Sequence, residues 1–161
     1  MQATFFTKND PTKIWLNFKD KLDLSNVILT KKMKLTLQIA AIYNLLWGAW
    51  VVLFPTHFFE LVGMEIPNQL LIWQGMGMVI GVYGLGYWWA SYSPLQHWPI
   101  VAVGFLGKIF GPIGFVMNYV QDLVPFEFFY TLITNDFIWW IPFGYILWKV
   151  HTEYHWKLKH D

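Results

Sequence analysis

Four stretches of this chain are apolar over about the length of a bilayer crossing, and they leave room for little else. They are 35–54 (LTLQIAAIYNLLWGAWVVLF), 69–92 (QLLIWQGMGMVIGVYGLGYWWASY), 97–120 (HWPIVAVGFLGKIFGPIGFVMNYV) and 127–148 (EFFYTLITNDFIWWIPFGYILW). A helix rising ~1.5 Å per residue needs roughly 20 apolar residues to cross ~30 Å of hydrocarbon. Only 13% of the residues are charged, where a soluble domain carries about 25%, so a soluble fold would lack polar surface. The expected fold is an all-α integral membrane protein, an antiparallel four-helix transmembrane bundle. A cytoplasmic arm (1–34) precedes the membrane domain (35–148), and a short tail (149–161) follows it.

Charge placement sets the expected orientation. All eleven basic residues are lysines. Seven precede the first span (Lys8, Lys13, Lys19, Lys21, Lys31, Lys32, Lys34) and three follow the fourth (Lys149, Lys157, Lys159). The loops 55–68 and 121–126 carry Glu60, Glu65 and Asp122 and no lysine. By the positive-inside rule both termini are expected on the cytoplasmic side of the membrane. Trp73 falls at the outer boundary, and Trp88, Trp89, Trp98 and Trp148 at the inner one, as interfacial anchors do. The first span is too long and begins too late for a signal peptide. Met33 is a second candidate start. Before it, NDPTKIWLNFKDKL reads as a short amphipathic helix capped by Asp10 with Pro11 at its first position. It lies on the membrane surface or forms a solvated arm.

The eleventh lysine is central to the third span. Lys108 sits 12 residues before the end of that span, and Asp136 lies 9 residues into the next, so their depths differ by about 4–5 Å. An unpaired charge at the bilayer centre costs about 2.5–3.5 kcal/mol on insertion scales. Lys108 and Asp136 are therefore expected as an ion pair or a neutral hydrogen-bonded pair, with Asn44 or Asn135 completing the bonds. Pro112 deprives the Lys108 carbonyl of its helical donor, so that carbonyl needs another. Trp139 and Trp140 adjoin the centre and are read as walls of a pocket or as packing aromatics. Gln74 is a shallower polar member. Such a centre is either functional or a staple that fixes helix register.

Glycines at Gly77, Gly81, Gly104, Gly107, Gly111 and Gly114 are expected to be helix-packing positions, because small residues let membrane helices approach. No cysteine is present, which excludes disulfides, thiolate metal sites and thiol catalysis. The net charge of +1 gives no electrostatic case for nucleic acid. His57 and His97 lie at opposite ends of the membrane and cannot share a metal. His151 and His155 have i, i+4 spacing, but a solvated tail is the favoured reading over a metal site. No catalytic residue set, metal site or cofactor is expected.

The strings LIWQGMGMVIGVYGLGYWWA, HWPIVAVGFLGKIFGPIGF and LITNDFIWWIPFGYIL resemble a family of small four-span bacterial membrane proteins. That family is often labelled alkyl hydroperoxide reductase and is loosely similar to DoxX-like proteins. The resemblance covers residues 40–148 and includes Gln74, His97, Lys108, Asn135, Asp136, Trp139 and Trp140. The peroxidase label needs a thiolate, and this chain has no cysteine. The DoxX-like similarity implies a membrane component near quinone-linked redox chemistry. Three functions are thus expected, in this order. The first is a non-catalytic accessory subunit or binding module for a lipidic ligand, a quinone or a partner helix. The others are a proton-linked carrier or channel using Lys108 and Asp136, and a component of a quinone-linked oxidoreductase. The expected partners are membrane lipid and a homodimer or larger membrane complex.

Overall fold

A computed structural model describes the backbone of residues 11–160 and the side chains of residues 27–152. Among the described residues it is all-helical. The order is α1 (Pro11–Leu53), α2 (His57–Val62), α3 (Leu70–Ala90), α4 (Trp98–Tyr119), a 3₁₀ turn (Phe126–Phe128), α5 (Phe129–Leu132), a π turn (Ile133–Phe137) and α6 (Ile138–His160). The chain divides into two compact units, 1–32 and 33–161. The polar centre lies in the second. The amphipathic face expected at 10–22 and the side chain of His155, half of the expected His151–His155 spacing, lie outside the described side chains. The backbone itself differs from expectation there: α1 is one helix from Pro11, not a short helix followed by a separate span.

Three helices are long and apolar enough to cross a membrane: Val27–Leu53 within α1, α3 and α4. Their outward side chains are apolar too, with Leu46, Leu71, Val82 and Phe110 among the most exposed. Water would not tolerate so continuous an apolar exterior, whereas lipid does. The fourth apolar segment, read from sequence as one span over 127–148, is instead assembled from the 3₁₀ turn, α5, the π turn and α6.

The helices end where backbone chemistry requires. Pro55 cannot continue α1, whose last helical bond runs from Phe54 N–H to the Trp50 carbonyl at 2.8 Å. Gly63, at φ 68°, ends α2 in the left-handed conformation that glycine adopts without a Cβ clash. The Met64 N–H then reaches back to the Phe59 carbonyl at 2.9 Å. After α4 the same device uses Asp122, at φ 55°, a residue type that tolerates this region. Leu123 N–H bonds to the Asn118 carbonyl at 3.0 Å.

Packing follows small residues. On α1 a stripe of Leu37, Ala40, Ala41, Asn44 and Val51 is buried at helical spacing. A Cβ on Gly48 would stand 2.5 Å from the Gly77 carbonyl oxygen, and one on Gly84 would stand 2.9 Å from the Ala41 carbonyl oxygen. α1 and α3 therefore meet at backbone contact. α3 and α4 meet through the Tyr87 ring, which lies against Gly104. On α6 the buried residues Trp139, Phe143, Ile146 and Val150 form the inward face.

Candidate functional site

Lys108 is buried on α4, 8% exposed. Its ammonium donates to the Asn135 main-chain carbonyl at 2.7 Å. Asn135 lies in the π turn of residues 133–137, whose backbone ring is one residue wider than that of an α-helix. A second carbonyl of the turn, that of Thr134, accepts the Trp139 indole N–H at 3.0 Å. The Trp139 ring also stands 5.7 Å from Lys108 Nζ, within cation–π range.

The Lys108 carbonyl, which Pro112 leaves without a helical donor, receives the Trp140 indole N–H at 3.0 Å. The two segments thus exchange bonds. Lys108 bonds to a carbonyl within the π turn, and Trp140 closes one opened by Pro112. Each segment supplies a donor to the other's irregularity, which matters where no water reaches the backbone.

Asp136 is buried, 9% exposed, with its carboxylate beside Gly111. A Cβ there would stand 2.9 Å from Oδ2, so a larger side chain at 111 would displace the carboxylate. Lys108 and Asp136, expected as an ion pair or a neutral hydrogen-bonded pair, form neither; the lysine bonds to a main-chain carbonyl instead. The Asn135 side chain accepts from the Tyr43 hydroxyl at 2.7 Å. Asn44, expected as a bonding partner, is buried at 5% exposure, and Asn44 and Asp136 make no side-chain hydrogen bond to any described residue.

These groups border a cavity of about 490 Å³, a size ordinary for a small-molecule site. Gly104, Gly107, Gly111 and Gly114 run along one wall, and Trp47, Trp73, Phe115 and Phe128 close the aromatic end. The glycine stripe is therefore only partly a packing stripe. At Gly77 an added Cβ would meet Val51 at 2.7 Å, a packing contact. At Gly107 and Gly114 it would meet nothing within 4 Å, and both border the cavity. Gly81 has open space at its own Cβ position, although Gly48 approaches its backbone.

Three expected members stand apart from the cavity. Gln74 donates to the Val52 carbonyl at 3.0 Å, satisfying an acceptor at the C-terminal end of α1; it ties α3 to α1. Trp139 and Trp140 stand behind the polar centre and brace it rather than lining the cavity. Tyr43, Tyr83 and Tyr87 were not singled out from the sequence. Tyr43 holds Asn135, and Tyr83 and Tyr87 line the cavity. Their signal was present in part, since Tyr43 adjoins Asn44. Trp73, read as an interfacial anchor, also lines the cavity, and its buried indole N–H has no hydrogen-bond partner among the described residues.

No protein-family model, no curated protein and no solved structure matches the chain.

Proposed function

We propose that this chain is a four-span bacterial inner-membrane protein with both termini cytoplasmic, working as a non-catalytic binding module. Its ligand is lipidic, a quinone or a partner helix, received in the cavity beside Lys108 and Asp136. The observation that carries the reading is the cavity itself: buried polar groups with spare bonding capacity open onto it instead of being sealed by packing. The resemblance to small four-span, loosely DoxX-like proteins agrees with this size and span count. Native mass spectrometry of protein extracted directly from membranes tests it. Wild-type protein should retain a lipidic molecule that Gly114→Leu, which fills open space, releases. Equal retention by both would count against the cavity.

A second reading is favoured by a specific observation. Pro112 removes one backbone donor inside the continuous helix α4, and a π turn interrupts the neighbouring segment at the depth of the charged groups, irregularities of the kind found at transporter ion sites. A proton-linked carrier would then lose flux in liposomes on Asp136→Asn. Unchanged flux would remove that reading and leave the binding module.

A further inference from the structure

The ligand class can be narrowed from the chemistry of the polar centre; this step rests on the reading of the cavity as a ligand site within a membrane. Lys108 and Asp136 are opposite in sign, both buried, and both on the same cavity. With both ionised, the centre carries no net charge. A carboxylate entering it would face Asp136, and an ammonium would face Lys108. Either would also bring an uncompensated charge to the middle of the hydrocarbon, which is costly.

The hydrogen-bonding capacity left open is mixed. The Asp136 carboxylate accepts nothing from the protein's described side chains. Asn44, with one acceptor and two donors on its amide, makes no side-chain bond to any described residue. Lys108 spends one of its three donors on Asn135. The smallest group that both donates to a carboxylate and accepts from an amide or ammonium is a hydroxyl. The remainder of the lining, from Gly107 to the rings of Trp47 and Phe128, is mostly apolar. The depth available follows from α1. Asn44 and Val52 are eight residues apart, about 12 Å along the helix, and Gln74 beside Trp73 contacts Val52.

We infer that the cavity selects an uncharged, hydroxyl-headed amphiphile, with the hydroxyl between Asp136 and Asn44 and the apolar chain along the Gly107–Gly114 wall. Radiolabelled decan-1-ol, decanoate and decylammonium are matched in chain length and differ in head charge. Their binding to full-length protein in nanodiscs is measured against empty nanodiscs. Wild-type protein should bind the alcohol at least about tenfold more tightly than either ion. Asp136→Asn leaves one net positive charge, so the order should turn toward decanoate. Lys108→Met should turn it toward decylammonium. If Lys108→Met does not fold, the Asp136→Asn order decides alone. Gly107→Leu, which fills open cavity, should abolish alcohol binding.

Decanoate binding wild type as tightly as the alcohol would overturn the inference while keeping the cavity as a ligand site. An order unchanged in Asp136→Asn would do the same. Failure of all three probes to bind above empty nanodiscs would overturn the inference and the small-ligand reading beneath it. Undiminished alcohol binding in Gly107→Leu would place the bound alcohol elsewhere and overturn it too.

Discussion

Trp140 and Lys108 are coupled through a proline neither of them touches by side-chain bonding. Pro112 removes the N–H that would have bonded the Lys108 carbonyl, and the Trp140 indole supplies the replacement at 3.0 Å. Interhelical bonds in membranes average well under 1 kcal/mol, because the separated helices find other partners. Here the carbonyl has no helical alternative, so the cost should lie higher. Trp140→Phe is expected to destabilise the protein by about 1–2 kcal/mol in denaturant titrations in micelles. In a Pro112→Ala background the helix regains its own donor, and the same change should cost less than about half as much. An equal cost in both backgrounds would show that Trp140 acts through packing alone. The two ionisable groups should also differ. Lys108→Met leaves the Asn135 carbonyl open and Asp136 without its compensating charge, and should cost about 3 kcal/mol. Asp136→Asn also leaves the Lys108 ammonium uncompensated, but it keeps the Lys108–Asn135 bond and removes a carboxylate that no described side chain satisfies, so it should cost less than Lys108→Met. A larger loss for Asp136→Asn than for Lys108→Met, read in the same titration, would reverse the assignment of which group the fold needs.

At the scale of elements, one glycine pattern serves two purposes that spacing cannot separate. Gly48 faces backbone: an added Cβ would stand 2.5 Å from the Gly77 oxygen, and backbone cannot step aside without moving α1 from α3. Gly107 faces open space. Gly48→Ala should therefore lower the melting temperature in detergent by several degrees, and Gly107→Ala should leave it within error. Equal effects would mean that the α1–α3 contact is not what the glycine is for. The same contrast marks what the sequence could reveal. α3 and α4 fall within one or two residues of the expected spans 69–92 and 97–120, because long uninterrupted apolar runs encode length and depth directly. The need of the Lys108 carbonyl for an outside donor was legible as well, since proline chemistry is local. The identity of that donor was not, because it depends on how α6 is rotated against α4. That rotation is set by the π turn, and LITNDF contains no glycine or proline to announce it. The lysine was matched to Asp136 by depth alone, and the turn brought the Asn135 carbonyl to it instead. Tyr43 was missed for a related reason. A tyrosine one residue from Asn44 reads as an ordinary apolar position until a neighbouring segment presents Asn135 to its hydroxyl.

For the molecule as a whole, the decisive issue is whether the broken segment from Phe126 onward crosses the membrane as α1, α3 and α4 are able to. Its exterior at and after the π turn is apolar, with Ile133, Ile138 and Ile141 turned outward. Its two irregular carbonyls are closed by Trp139 and Lys108, so the turn exposes no unsatisfied backbone to lipid at those positions, the condition for a non-regular turn at membrane depth. The lysines add an independent argument. Lys149, Lys157 and Lys159 follow the segment, and a lysine-bearing flank favours the side where the lysines of 8–34 already lie. A crossing satisfies both conditions; without one, residues 149–161 would share the side of Asp122. Because the chain has no cysteine, single-cysteine variants report topology without background. In intact cells expressing the protein, a membrane-impermeant maleimide should label Glu65→Cys and Asp122→Cys. It should label Lys32→Cys and Lys159→Cys only after permeabilisation. Labelling of Lys159→Cys together with Asp122→Cys in intact cells would reduce the protein to three crossings and put its C-terminal segment outside. The cavity would then need a partner chain to shield its polar wall from water. The reverse pattern at all four positions would keep four crossings and invert the molecule. The aromatic end of the cavity, near α2 and the 121–126 loop, would then face the cytoplasm, and ligand would enter from that side.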